Sequence, residues 1–157
     1  MNVAAITPQV AIALLAGTAA IIDDLARRQV SNWIPALAFV GGLSAQGYQG
    51  GWSGVGSSLL GTVAGFVVFL VFYMLGGMGG GDVKLMAGFG AVLGWERLPE
   101  AALWTAGCGG LMALGAIGFG WIRNRLQKRS DADVPVKSIP YAPAIALGAW
   151  LALVPKI

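Results

Sequence analysis

The sequence contains no histidine, a single cysteine, and only 7 acidic and 10 basic residues among 157. Without histidine there is no His-based metal site, no Ser-His pair and no Cys-His pair, which removes most hydrolase chemistries. With Cys108 alone, neither an internal disulfide nor a CxxC metal site can form. Proton transfer is left to carboxylates, lysine, tyrosine or water. Charged residues make up 11% of the chain, against roughly 25% in soluble domains. None occurs between 29 and 81. A water-facing surface cannot be built from such a stretch. These shortages exclude a disordered chain, a disulfide scaffold and an ordinary globular enzyme.

What is abundant is apolar: 57% hydrophobic residues, 25 glycines and a mean hydropathy of +0.74. The expected class is an all-α polytopic membrane helix bundle, a single integral-membrane domain over 1–157. A transmembrane helix needs about 20 mostly apolar residues. On that measure about six spans are predicted, some short: 7–22, 33–48, 57–75, 83–95, 101–121 and 139–154. The third carries the strongest signal, VAGFVVFLVFYML. The fourth is short and glycine-rich, either a tilted span or a re-entrant piece within the bundle. The first has no basic region before it and no small-residue cleavage site after it. It is therefore read as a permanent helix rather than a secretory signal.

Charge sets the orientation. With both termini outside, the inner connections hold Arg27, Arg28, Lys84, Arg123, Arg125, Lys128, Arg129 and Lys137. The outer side holds only Arg97 and Lys156. A five-span arrangement would break this separation. The ERLPE segment then lies outside, and the basic loop over 123–137 lies in the cytoplasm. That loop is read as a topology signal, with attraction to anionic lipid or a partner as further uses. The net charge of +3 is accounted for by this asymmetry, and no nucleic acid is expected. Trp33, Trp52, Trp95, Trp104, Trp121 and Trp150 fall mostly near span ends, as interfacial anchors do. Glycine runs such as GTVAG let helices approach closely.

The topology sorts the acids. Glu96 and Glu100 fall outside, and Asp131 and Asp133 fall in the basic loop. Asp23, Asp24 and Asp82 remain at the cytoplasmic membrane boundary, where an ionisable group invites a functional hypothesis. Each also has a structural reading. Asp23 and Asp24 stand four residues before Arg27 and Arg28, a spacing that stabilises helices. Asp82 suits the N-cap of the fourth span, and Lys84 can reach lipid phosphates. Taken together, the acids on two separate connections suggest more. Two carboxylates held close share one proton; the charged member takes a proton from water and the protonated member serves the peptide carbonyl and leaving amine. That chemistry needs no metal and no cofactor. Gly79, Gly80 and Gly81, just before Asp82, would permit unusual backbone angles and the close approach of an extended substrate.

At this point the residues resemble a known family. GGGDVK over 79–84 matches the G-x-G-D-x-K motif of the type IV prepilin peptidases, GxGD-type intramembrane aspartic proteases. DLARRQVSN over 24–32 resembles their first-aspartate motif, D-x-x-x-x-x-I-P-N, with Val30 for isoleucine, Asn32 for asparagine and Ser31 departing from proline. IPYAPAIALG near the end resembles a recurring segment of the last span. The resemblance implies an endopeptidase that removes the short basic leader of prepilin-like membrane proteins at the cytoplasmic face of the inner membrane. Asp24 and Asp82 would be the catalytic pair, with base and acid unassigned. Motif spacing favours Asp24 over Asp23. Gly79, Gly80, Gly81, Lys84 and Asn32 would shape the site, with Lys84 tuning Asp82, holding the loop or anchoring to lipid.

Larger members carry an extra cytoplasmic region with paired cysteines, linked to N-methylation. Only about ten residues separate the first two spans here, so a peptidase alone is expected. The compact form resembles the branch serving Tad/Flp pili, though archaeal preflagellin peptidases share the catalytic logic. The alternatives are a proton- or ion-coupled transporter subunit, whose acids would sit nearer the midplane, and a non-catalytic assembly scaffold.

Overall fold

The structure, a computed structural model, describes residues 7–127 and 141–154. Residues 128–137 of the basic loop, positions 139–140 of the sixth predicted span, and Lys156 lie outside the described residues. The described residues form four helices: α1 (Pro8–Arg27), α2 (Trp33–Met74), α3 (Gly80–Gln127) and α4 (Ala142–Leu153). By length and composition, α1 and α2 can cross a membrane. Proline at the start of α1 suits a position whose N–H has no helical acceptor. Arg28 ends α1 in the left-handed region (φ 54°), returning its N–H to Asp24 O.

Two of the helices are broken. Gly51 (φ 56°, ψ −138°) interrupts α2, and Gly94 (φ 71°, ψ 170°) interrupts α3. Both conformations suit glycine and few other residues. The arms are 33–50 and 52–74 in α2, and 80–93 and 95–127 in α3. At Gly51 the chain folds back on itself. A methyl on Gly54 would overlap Gln46 O, and one on Gly47 would meet Val55 at 3.1 Å. Residues eight apart along a straight helix are about 12 Å apart, so these contacts define a hairpin.

Six helical segments result, one for each predicted span, with different bounds. The third begins at 52 rather than 57, and the first continues through Asp23 and Asp24 to Arg27. ERLPE, read as an outer loop, is helical, because the fifth segment starts directly after Gly94.

Contacts fix the directions. Gln9 and Gln49 exchange amide hydrogen bonds at 2.9 Å, making α1 antiparallel to 33–50. A methyl on Gly61 would overlap Gly90 O, and one on Gly65 would meet Met86 O at 2.8 Å, so 52–74 runs against 80–93. Gly17 lies under the Trp150 ring, whose Nε1–H donates to Ala13 O at 2.8 Å; α4 thus runs against α1. Trp150 is a packing residue, whereas Trp52, at the α2 hairpin, is 91% exposed. The small side chains face inward: Ala13, Ala20, Ala38, Gly61, Gly65, Ala144 and Ala149 are buried. Large apolar ones such as Leu15, Leu37, Val63 and Leu103 face outward. Beside a core of large side chains that includes Phe89, Ile34, Leu85, Met86 and Ile145, the buried small residues allow close backbone approach, and the exposed apolar ones suit a lipid surround.

The break at Gly94 leaves backbone groups to satisfy. In an unbroken helix Trp95 N–H would bond to Ala91 O and Glu96 N–H to Val92 O. Instead Trp95 N–H donates to Ser57 Oγ at 3.3 Å, and Ser58 Oγ–H donates to Ala91 O at 3.0 Å. Gln46 Nε2–H donates to Val92 O at 3.1 Å. Three polar side chains of α2 therefore replace the missing ladder at one end of the bundle.

Candidate active site

The aspartates gather at the opposite end. Asp24 lies in the last turn of α1 and is 6% exposed. Its Oδ2 accepts the N–H of Ala142, the first residue of α4, at 3.1 Å. A carboxylate is favoured at a helix N-terminus, where the first amides lack acceptors and the dipole is positive. Proline at the second position of α4 marks that start in the sequence, but the acid serving it, 118 residues earlier, carries no local signal.

Asp82 is 7% exposed and sits in the first turn of α3. It is not the N-cap. The helix starts at Gly80, and Asp82 reaches back so that Oδ2 accepts the Gly79 N–H at 3.1 Å. This is one half of a capping box, with the acid at the third helical position. Gly79, Gly80 and Gly81 do not adopt the unusual angles anticipated for them; the positive φ nearby belongs to Gly76. Their neighbours within the chain stand at ordinary contact distance. A methyl on Gly79 would lie 3.4 Å from Asp82 Oδ2, and one on Gly81 would lie 3.4 Å from Val30 Cβ.

Asp23 and Asp24 follow the uncharged stretch 8–22 of α1, and Asp82 stands in the first turn of α3. Burial pushes the Asp82 carboxyl up to about 6, opposed by the Gly79 hydrogen bond and reinforced by the charge of Asp24. Burial also raises Asp24, against the hydrogen bond from Ala142 and the charge of Arg28. Asp23 moves the other way. Hydrogen bonds from the Ser31 hydroxyl and amide, aided by Arg27, hold it below the usual range. The Ser31 N–H···Oδ2 distance is 2.7 Å, and Arg27 Nε lies 3.5 Å from Oδ1, the ion pair that the spacing anticipates.

The two motif segments also meet. Lys84 Nζ donates to Asn32 Oδ1 at 3.0 Å across 52 residues, and Val30 packs on Gly81. Lys84 thus holds the α1–α2 loop against the start of α3. Sequence reasoning had no means to see the Asp23–Ser31 link, because Asp23 was visible only as a helical partner of Arg27. Among the described residues, no group of three or more His, Cys, Asp and Glu is placed to hold a metal ion.

Known proteins are similar to this chain in sequence. A prepilin leader peptidase/N-methyltransferase of Aeromonas hydrophila is 36% identical over 111 residues, covering 66% of this chain and 34% of that protein. One of Bacillus subtilis (strain 168) is 39% identical over 98 residues, covering 61% and 35%. One of Escherichia coli (strain K12) is 32% identical over 103 residues, covering 61% and 40%. The chain therefore spans little more than a third of the length of these relatives. No solved structure matches it. The type IV leader peptidase family matches residues 10–114, a stretch that includes all but the first two residues of α1, all of α2, both buried aspartates and the glycine segment, and the chain belongs to that family.

Proposed function

We propose that the chain is an intramembrane aspartic endopeptidase that removes the basic leader from prepilin-like membrane proteins. The observation that carries this reading is the pair Asp24 and Asp82. They stand on separate helices at one end of the bundle, both buried, with the charge of one raising the proton affinity of the other. Such a pair favours holding a single proton between its members. The ionised carboxylate takes a proton from water as the oxygen attacks the scissile carbonyl carbon. The protonated one donates to the carbonyl oxygen. As the tetrahedral intermediate collapses, the C–N bond breaks and a proton passes to the leaving amine.

On this reading the end lies at the cytoplasmic face of a six-pass protein in the inner membrane, which the positive-inside asymmetry supports. The apolar exterior would lie against lipid and against the hydrophobic segment of the prepilin. Five residues, 28–32, join α1 to α2, which leaves no room there for a cysteine-bearing insertion, and we assign peptidase chemistry to this segment. A transporter reading would want its acids near mid-bundle, whereas these lie at the ends of α1 and α3.

Cleavage by the purified protein in phospholipid vesicles tests the reading, using prepilins with a basic leader ending in glycine. Wild type is expected to cleave, and Asp24→Asn and Asp82→Asn are expected to insert and fold but not cleave. Cleavage by a folded Asp82→Asn variant would overturn the two-aspartate mechanism.

A further inference from the structure

Among the described residues, Asp23 is the one acid at this end that the mechanism does not use, yet it is the best-tethered of the three. Its Oδ2 takes the Ser31 N–H at 2.7 Å, and its Oδ1 faces Arg27 at 3.5 Å. Ser31 is the fourth residue of the five-residue connection 28–32. On either side of it are the two residues that touch α3: Val30 against Gly81, and Asn32 bonded to Lys84. Asp82 falls between Gly81 and Lys84, and Asp24 follows Asp23 on α1. The loop therefore couples the elements that carry the two buried acids, and its Ser31 amide is tied to α1 by Asp23 alone among the described residues.

We propose that Asp23 is a positioning residue, whose carboxylate clamps the Ser31 amide and so fixes the register of Val30 and Asn32 against Gly81 and Lys84, aligning Asp24 with Asp82. The proposal rests on the peptidase reading for its effect on rate, but not for the clamp itself. The Ser31 hydroxyl adds a second donor to the same carboxylate, which agrees with a purpose-built acceptor. At position 31 the prepilin peptidase motif has proline, which has no N–H to offer, so the clamp belongs to this chain's own Asp23–Ser31 pair. A carboxylate is not chemically required. Any oxygen acceptor of the same reach would serve, and this separates positioning from proton transfer.

The experiment compares wild type, Asp23→Asn, Asp23→Ala and Asp24→Asn. Backbone exchange at Ser31, in protein held in phospholipid nanodiscs, reads the clamp without reference to activity. It is expected to be slow in wild type and in Asp23→Asn, which keeps an oxygen, and fast in Asp23→Ala. In the cleavage assay, Asp23→Asn is expected to retain most of the rate. Asp23→Ala should lose about tenfold in kcat, the worth of one hydrogen bond to a charged group, with KM within about twofold. Rapid exchange at Ser31 in wild type overturns the clamp. Full activity in Asp23→Ala despite lost protection overturns the positioning role, and loss in Asp23→Asn as deep as in Asp24→Asn overturns it in favour of a catalytic one. Failure of wild type to cleave, or cleavage by Asp82→Asn, counts against the peptidase reading, and the exchange result still decides the clamp.

Discussion

Asp24 and Ala142 are joined by a hydrogen bond of 3.1 Å that closes 118 residues of chain. The acid proposed for catalysis therefore also starts the last helix. The two duties separate by substitution. Asp24→Asn keeps an oxygen for the Ala142 N–H, so folding is expected to survive while cleavage stops. Asp24→Ala removes the acceptor as well and should cost a further ~1 kcal/mol, as loss of a helix cap does. Thermal unfolding in detergent micelles, run beside the cleavage assay, checks both halves. Equal stability of the two variants would mean that the hydrogen bond contributes little.

The pH dependence of stability follows from Asp82. Its folded pKa of about 6 lies above the ordinary value of 3.8, so the folded state holds this proton more tightly than the unfolded one. The stabilisation is complete below 3.8, declines as pH rises to about 6, and is gone above. The raised Asp24 acts in the same direction. The Asp82 contribution is on the order of 3 kcal/mol at most, because each tenfold gain in proton affinity is worth about 1.4 kcal/mol. The Tm of the wild-type protein is expected to fall between pH 4 and pH 6 more steeply than that of Asp82→Asn. Parallel curves would show that Asp82 ionises without strain.

How much of this was legible in sequence divides by the range of the interaction. Helix, membrane character and the six segments rest on composition and local runs, which sequence displays directly. The motif spacing selected Asp24 over Asp23, and the structure buries Asp24 more deeply. The hairpin at Gly51 was legible as a gap between two apolar runs. The break at Gly94 was legible in the same way, as the boundary between the spans 83–95 and 101–121, but the immediate resumption of helix through ERLPE was not, because the broken ladder there is completed by α2 side chains rather than by local residues. The links Asp24–Ala142, Asp23–Ser31 and Lys84–Asn32 depend on which loop lies against which helix end, and spacing does not carry that information.

Gly61 and Gly90 cross with each carbonyl against the other's α-carbon, so a methyl on either overlaps backbone that cannot rotate away. Gly61→Ala and Gly90→Ala are each expected to prise 52–74 from 80–93 and to cost several kcal/mol, in the range of overpacked cores or beyond. Gly56, which has nothing within 4 Å of such a methyl, is the matched control. Gly56→Ala should be neutral or stabilising by about 0.5–1 kcal/mol, since it stiffens a helical position without a clash. Retained, correctly folded protein in micelles reads the difference. A tolerated Gly90→Ala would show that the two arms can separate at little cost.

Ser57 and Ser58 divide between them one of the hydrogen bonds that the break at Gly94 removes, one accepting from Trp95 N–H and the other donating to Ala91 O. Their surroundings differ. Ser58 is fully buried, so Ser58→Ala leaves a carbonyl with neither water nor side chain to bond, at a cost of about 1–3 kcal/mol. The Ser57 bond lies at an exposed position, where water or a lipid headgroup can take over the Trp95 N–H, and Ser57→Ala should cost well under half as much. The order of the two Tm losses is therefore the informative quantity. Because this cluster stands at the end of the bundle away from Asp24 and Asp82, either variant that folds should keep its cleavage rate. A Ser57→Ala loss equal to that of Ser58→Ala would mean that the break is held shut on both strands of the crossing, and that solvent does not reach it.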